Sequence, residues 1–161
     1  MLFRVLGPAL SALTFSVAYA FIEYYLIKDT TLGYSPVLFS LIYPYHFAMA
    51  AVFGLATYSL LRWRIRTKEL VPSLILACAL FSSMLAIEDF TWFALRATAP
   101  VENDLNAGKL VLPGEWTTQF MGSVNAHFTA IPNWYFLSLG FLVTAYVAMR
   151  ERKQLAALAS T

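Results

Sequence analysis

Glu23, His46, Glu88, Asp89 and His127 stand inside or at the margins of long apolar runs. Carboxylate and imidazole are donors that zinc, iron, copper and manganese accept, and helical bundles present such ligands from facing helices. The chemistry these residue types point to is transition-metal binding, with Glu23, His46, Glu88 and His127 as ligands. Asp89 would be a fifth ligand or would orient one of the four. Tyr19, Tyr43, Tyr45, Trp92 and Gln119 could support the ligands from behind. A metal held there could activate water or act as a Lewis acid on a membrane-soluble or periplasmic substrate, although the residues do not decide whether the chain is an enzyme. A haem between His46 and His127 is a second arrangement, weakened by the three neighbouring acids. The Glu-x-x-His pairs of dinuclear carboxylate bundles are absent, as are a phosphate loop, a dinucleotide fingerprint, an HExxH pair and a Ser-His-Asp order.

The elements that must position these groups follow from composition. The chain has 161 residues, 60% of them hydrophobic and 12% charged, with a mean hydropathy of +0.65. Soluble domains are roughly 25% charged, and a water-soluble globule of this size cannot hide so much apolar surface. The net charge of +2 is too small for a surface that tracks phosphates, which excludes a nucleic-acid partner. The single cysteine excludes an intrachain disulfide. The expected class is an all-α integral membrane protein of one domain, 1–161, built as a four-transmembrane-helix bundle. Its partner is the lipid bilayer, with other membrane subunits or further copies of the chain as additional candidates.

A spanning helix needs about 20 residues with few charges. Residues 5–22, 30–61, 70–87 and 116–149 carry no Asp, Glu, Lys or Arg. Spans are expected at 5–27, 36–61, 70–95 and 133–149, with a loop at 96–114. Pro132 divides the last run, and a proline breaks or kinks a helix, so residues 115–130 are read as a separate helix, tilted or re-entrant. Its polar stripe would be Trp116, Gln119, Ser123 and His127. Ala18-Tyr19-Ala20 also fits a signal-cleavage site, but the segment is read here as a span. Arg62, Arg64, Arg66 and Lys68 lie between spans two and three, and Arg150, Arg152 and Lys153 follow span four. By the positive-inside rule both termini are expected in the cytoplasm of a multi-pass cell-membrane protein.

That topology puts all five ionisable residues in the outer half of the bundle. The intervals from Arg4 to Glu23 and from Glu69 to Glu88 are both 19 residues, which sets each glutamate roughly 28 Å above the inner helix end. Each glutamate-bearing span is followed by a helix with a histidine. The pattern fits two repeated helix pairs about an axis along the membrane normal; short coincidences in a chain rich in Phe and Ile account for it as well. Glu88 and Asp89 lie about 100° apart around one helix and need not face one target. Cys78, Ser82, Ala86 and Asp89 form a small-residue stripe suited to close helix approach, as do Gly140, Thr144 and Ala148.

Glu88-Asp89-Phe90-x-Trp92-Phe93, followed by Trp116, His127 and Pro132-Asn133-Trp134-Tyr135, resembles the E-D-F-x-W-F … H … P-x-x-Y pattern of a group of small prokaryotic four-span membrane proteins of uncharacterised function. The resemblance covers residues 80–146. It implies no activity, only that Glu88, Asp89 and His127 belong together.

Three functions are compatible with this pattern. The first is a metal-binding membrane protein. The second is a non-catalytic subunit of a larger membrane complex of respiratory or oxidase type. The third is a small proton-coupled carrier using Glu23 and Glu88. Against all three stands a structural explanation, in which each buried acid or imidazole is satisfied by its own hydrogen-bond partner or snorkels to the interface.

Overall fold

The computed structural model describes residues 2–27, 44–64, 70–100 and 106–158. Helix α1, Leu2–Ile22, runs on without a break into a π-helical turn, Glu23–Ile27. Helix α2 is Pro44–Arg64 and α3 is Leu70–Thr98. A short α4, Trp116–Gln119, precedes a two-stranded antiparallel hairpin of β1, Ser123–Ala126, and β2, Thr129–Pro132. Helix α5, Asn133–Leu158, closes the described chain. Two prolines sit where helices tolerate them: Pro44 opens α2, and Pro72 falls in the first turn of α3, where its missing N–H costs no hydrogen bond.

Two stretches, Ala9–Leu26 and Leu74–Thr98, are long and apolar enough to cross a membrane. The apolar parts of the other two long helices, Phe47–Arg62 and Asn133–Ala148, are shorter. Helix α3 is central and packs against α1, α2 and α5, while α1 also touches α2. Small side chains let the backbones approach. Ala12, Ala79 and Ala145 share the core with Met49, Phe53, Leu76, Leu80 and Met84. Phe15 and Tyr19 of α1 meet Phe53 of α2 edge to face, with ring centroids 5.2 Å apart in each pair, a preferred aromatic geometry. The hydroxyl of Ser138 on α5 donates to the carbonyl of Ser82 on α3 at 3.1 Å, whereas Cys78, at the start of the expected small stripe of α3, is exposed. The expected stripe of α5 is not used: Gly140 and Thr144 are exposed, and Tyr135, Ser138 and Ala145 face α3 instead.

The outer surface of the described helices carries many large apolar side chains. Leu10, Leu13, Phe21, Leu55, Leu74 and Phe90 are exposed, and α5 turns Phe136, Leu139, Phe141, Leu142, Val143 and Val147 outward. Contiguous exposed apolar surface on this scale is foreign to monomeric soluble domains.

The expected helix over 115–130 is replaced by α4 and the hairpin. The chain leaves α4 through Gly122, at φ 76°, a left-handed conformation that glycine adopts at little cost. Beyond it, Val124, Thr129 and Ile131 supply β-branched residues suited to paired strands. Ala126 pairs with Thr129, which leaves His127 and Phe128 as a two-residue turn. The polar stripe expected on a helical face is therefore divided between a short helix, a strand and a turn. Asn133 secures the return: its amide nitrogen donates to the Met121 carbonyl at 2.9 Å and its backbone N–H to that of Gly122 at 3.0 Å.

The expected two-fold relation between helix pairs is only partly reproduced. Helices α1 and α3 pack together, but α2 touches both of them whereas α5 packs chiefly on α3.

A Cβ at position 122 would stand 3.2 Å from the Asn133 amide nitrogen on a left-handed backbone. Gly122→Ala is expected to lower stability by about 1–2 kcal/mol, read as a shift in denaturation midpoint in detergent. An unchanged midpoint would place the turn elsewhere.

Candidate functional site

Adjacent acids on α3 look in different directions. Glu88 faces α1, where its carboxyl hydrogen-bonds with that of Glu23. Both residues are buried, Glu88 at 3% exposure. The π turn starts at Glu23, and its wider winding buries two successive residues, Glu23 and Tyr24, on the inner side. Such local irregularities recur at functional sites. Tyr19, one turn earlier on α1, is within electrostatic reach of both carboxyl groups. Oε1 of Glu88 has no hydrogen-bond partner among the described residues.

Asp89 faces the other way and is engaged through Oδ2. Its Oδ2 accepts the hydroxyl of Thr117 at 2.8 Å and that of Tyr135 at 2.6 Å. Trp134 Nε1 donates to Thr117 Oγ1 at 2.9 Å. The two separated parts of the sequence pattern, Glu88-Asp89 and Trp134-Tyr135, thus meet through one carboxylate. Three elements converge on it, and the network satisfies an acid that would otherwise be costly to bury.

Two turns along α3, Arg96 clasps the cap that holds Thr117 in place. Arg96 is buried at 3% exposure. Its guanidinium pairs with both carboxylate oxygens of Glu115 and donates to the carbonyls of Lys109 and Leu110. Its carbon lies 4.7 Å from the Phe93 ring centroid, within range of a cation–π attraction. Glu115 Oε2 also accepts the Leu112 N–H at 2.8 Å. Glu115 is the residue before α4, so the ion pair fixes where that helix begins and where Thr117 points. The hairpin joins the same cap. Ala130 N–H and Thr129 Oγ1 both donate to the Val111 carbonyl, at 2.9 and 3.1 Å, and Ala130 packs on Phe93 and Val111.

Helices α2 and α5 flank α3 and leave a cleft of about 300 Å³ between them. Phe47, Met49 and Ala50 form one wall and Trp134 the other. Phe81, Leu85, Glu88 and Asp89 form the floor, and Trp116 and Phe120 the end.

The sequence-predicted ligands are thus only partly gathered. Glu23 and Glu88 meet, and Asp89 stands beside them but is committed to Thr117 and Tyr135. His127 occupies the hairpin turn and is exposed, because the chain there forms strands and not the expected helix. His46 lies in the first turn of α2; its side chain and that of Tyr45 lie outside the described residues, as does Tyr43 altogether. Among the described residues no three His, Cys, Asp or Glu side chains form a group able to hold a metal ion. Of the remaining supporting residues, Trp92 packs edge to face on Tyr24 at 5.3 Å, and exposed Gln119 donates to the Gly114 carbonyl.

Sequence reasoning missed Arg96, Glu115, Thr117 and Tyr135 as parts of this network. Arg96 carried a readable signal: it follows Trp92 and Phe93 on α3 by four and three residues, a spacing that stacks a cation over aromatic rings on a helix face. No family model, curated protein or solved structure matches the chain.

Removing the buried guanidinium strands Glu115 and two carbonyls. Arg96→Leu is expected to cost about 3–5 kcal/mol, and Arg96→Lys to recover only part because it lacks the planar fork. Tyr135→Phe, which removes one hydroxyl from Asp89, should cost about 1–3 kcal/mol. Denaturation of the purified protein in detergent measures both, and equal midpoints for Arg96→Leu and wild type would refute the clasp.

Proposed function

We propose that this chain is a multi-pass integral membrane protein with an intramembrane cation site built on Glu23 and Glu88. Four spans are assigned to α1 with its π turn, α2, α3 and α5. Both termini and the basic loop between α2 and α3 face the cytoplasm, by the distribution of Arg and Lys. The cap of α4 and the hairpin then lies at the outer face. The apolar exterior of all four long helices supports the membrane setting.

The contact between Glu23 and Glu88 carries the functional reading. Acidic groups inside a membrane bundle are costly, and where present they mark ion or substrate sites. These two come from helices far apart in sequence and are brought together in the interior instead of each reaching the interface. A cation beside Glu88 would offset the cost of burying it, as no basic side chain does among the described residues.

A transition metal is one such cation. Two carboxylates suit zinc, manganese or iron, and His46 is the remaining candidate nitrogen ligand by its residue type. His127 is not part of this reading. If the metal is catalytic, it supplies Lewis acidity or an activated water.

Two measurements test the proposal. The chain should stay in the membrane fraction after alkaline carbonate extraction; release into the soluble fraction would end the membrane reading. Protein purified without chelator should hold about one equivalent of metal if the cation is a metal ion, and Glu88→Gln should remove it. Loss of metal in His46→Ala would make that residue a ligand. A protein that takes up neither a metal nor an organic cation would end the cation-site reading.

A further inference from the structure

We propose that the hairpin of β1 and β2 is a lipid-contacting element: it lies at the outer headgroup level of the bilayer, with Phe128 at its turn and the outward face of its ribbon set against phospholipid. The inference rests on the membrane reading above and adds the surface by which the cap meets the bilayer.

The faces of the ribbon are reversed relative to a hairpin that meets water. Side chains alternate between the two faces of a strand, and the register sets Val124 opposite Ile131 and Asn125 opposite Ala130. Ala130 and Pro132 are buried, and Ala130 packs on Phe93 and Val111, so theirs is the face turned to the cap. Val124 and Ile131 share the other face, and Val124 is exposed. The solvated face of an antiparallel ribbon is ordinarily polar; this one is apolar. The same surface continues on either side of it. Phe120 and Met121, just before β1, are exposed, and Phe128 is the most exposed large apolar side chain among the described residues, at 78%.

Length says what covers this surface. At about 1.5 Å per residue the apolar part of α5, Asn133–Ala148, rises roughly 24 Å, short of a hydrocarbon core about 30 Å thick. The run without Asp, Glu, Lys or Arg does not stop at Asn133 but extends back through the hairpin to Trp116. Pro132 of β2 joins Asn133 of α5 directly, so the hairpin stands at the depth where the helix falls short. Among the described residues β1 pairs only with β2, and its far edge keeps backbone groups that need water. That sets the ribbon at the headgroup level and not within the hydrocarbon, with its apolar side chains dipping into the acyl boundary as those of interfacial helices do.

The test places one nitroxide at a time on the full chain in phosphatidylcholine nanodiscs, in a Cys78→Ser background so that the added cysteine is the only one. The sites are Phe128→Cys and Val124→Cys on the hairpin and Ala107→Cys at an exposed turn of the cap. Electron paramagnetic resonance reads collisions with oxygen, which concentrates in lipid, and with a water-soluble nickel chelate. Oxygen is expected to be the stronger relaxant at 128 and 124, and the chelate at 107. Two hairpin sites keep the test decisive if one variant does not fold. The aqueous order at either hairpin site would overturn the inference. So would low accessibility to both reagents, the mark of a protein neighbour such as a second copy of the chain. The lipid order at 107 would also overturn it, since the hairpin would then be no different from the rest of the cap. Any of these results in a chain that resists carbonate extraction leaves the membrane reading standing; release by carbonate would remove both.

Discussion

Two carboxyl groups side by side on one buried helix have to be satisfied from opposite sides. That constraint, set by Glu88 and Asp89 on α3, organises the rest of the molecule. Successive residues on a helix diverge by about 100°, so no single neighbour can serve both. Helix α1 answers Glu88 with Glu23, and its π turn provides the extra width that brings that side chain inward. The segment after α3 answers Asp89, and it takes a short helix, a hairpin and the first turn of α5 to deliver Thr117 and Tyr135 to one oxygen, with Trp134 donating to the Thr117 hydroxyl behind it. The central position of α3 follows from this division of partners.

The cap is the more elaborate half of the solution, and it is held by charge rather than by apolar burial. Among the described residues its own apolar core is small: Phe93, Val111 and Ala130 with Trp92 beside them. Arg96 compensates by tying three separate points of the loop to α3. A buried ion pair is weak support when compared with a well-packed apolar alternative, but a strong constraint once formed, because losing either partner strands the other. The benefit is geometric. With Glu115 fixed, α4 starts at one place and Thr117 meets Asp89, while Trp116 and Phe120 close the end of the cleft.

Much of this was legible in the sequence, and the failures have physical causes. Long uncharged runs announced the long helices, although α3 runs on past its acids to Thr98. The divergence of Glu88 and Asp89 was readable from helical phase alone. The contact between Glu23 and Glu88 was suggested by their equal intervals from a basic or acidic residue at the other helix end. The segment 115–130 misled because Trp116, Gln119, Ser123 and His127 happen to fall at helical spacing, a local pattern that a left-handed glycine at 122 and the β-branched Val124, Thr129 and Ile131 override. His127 was credited as a ligand through that same misreading. The spacing of Arg96 from Trp92 and Phe93 was readable, but only the fold reveals that the loop wraps around it.

The central claim is that Glu23 and Glu88 form one site and not two private ones. A double-mutant cycle on stability tests it most directly, using Glu23→Gln, Glu88→Gln and the pair together, since glutamine keeps the shape and removes the acid. If the carboxyl groups act as a unit, the double substitution should differ from the combined effect of the singles by about 1 kcal/mol or more. Additivity within about 0.5 kcal/mol would mean that each acid has its own surroundings, and the site would dissolve into separate buried groups.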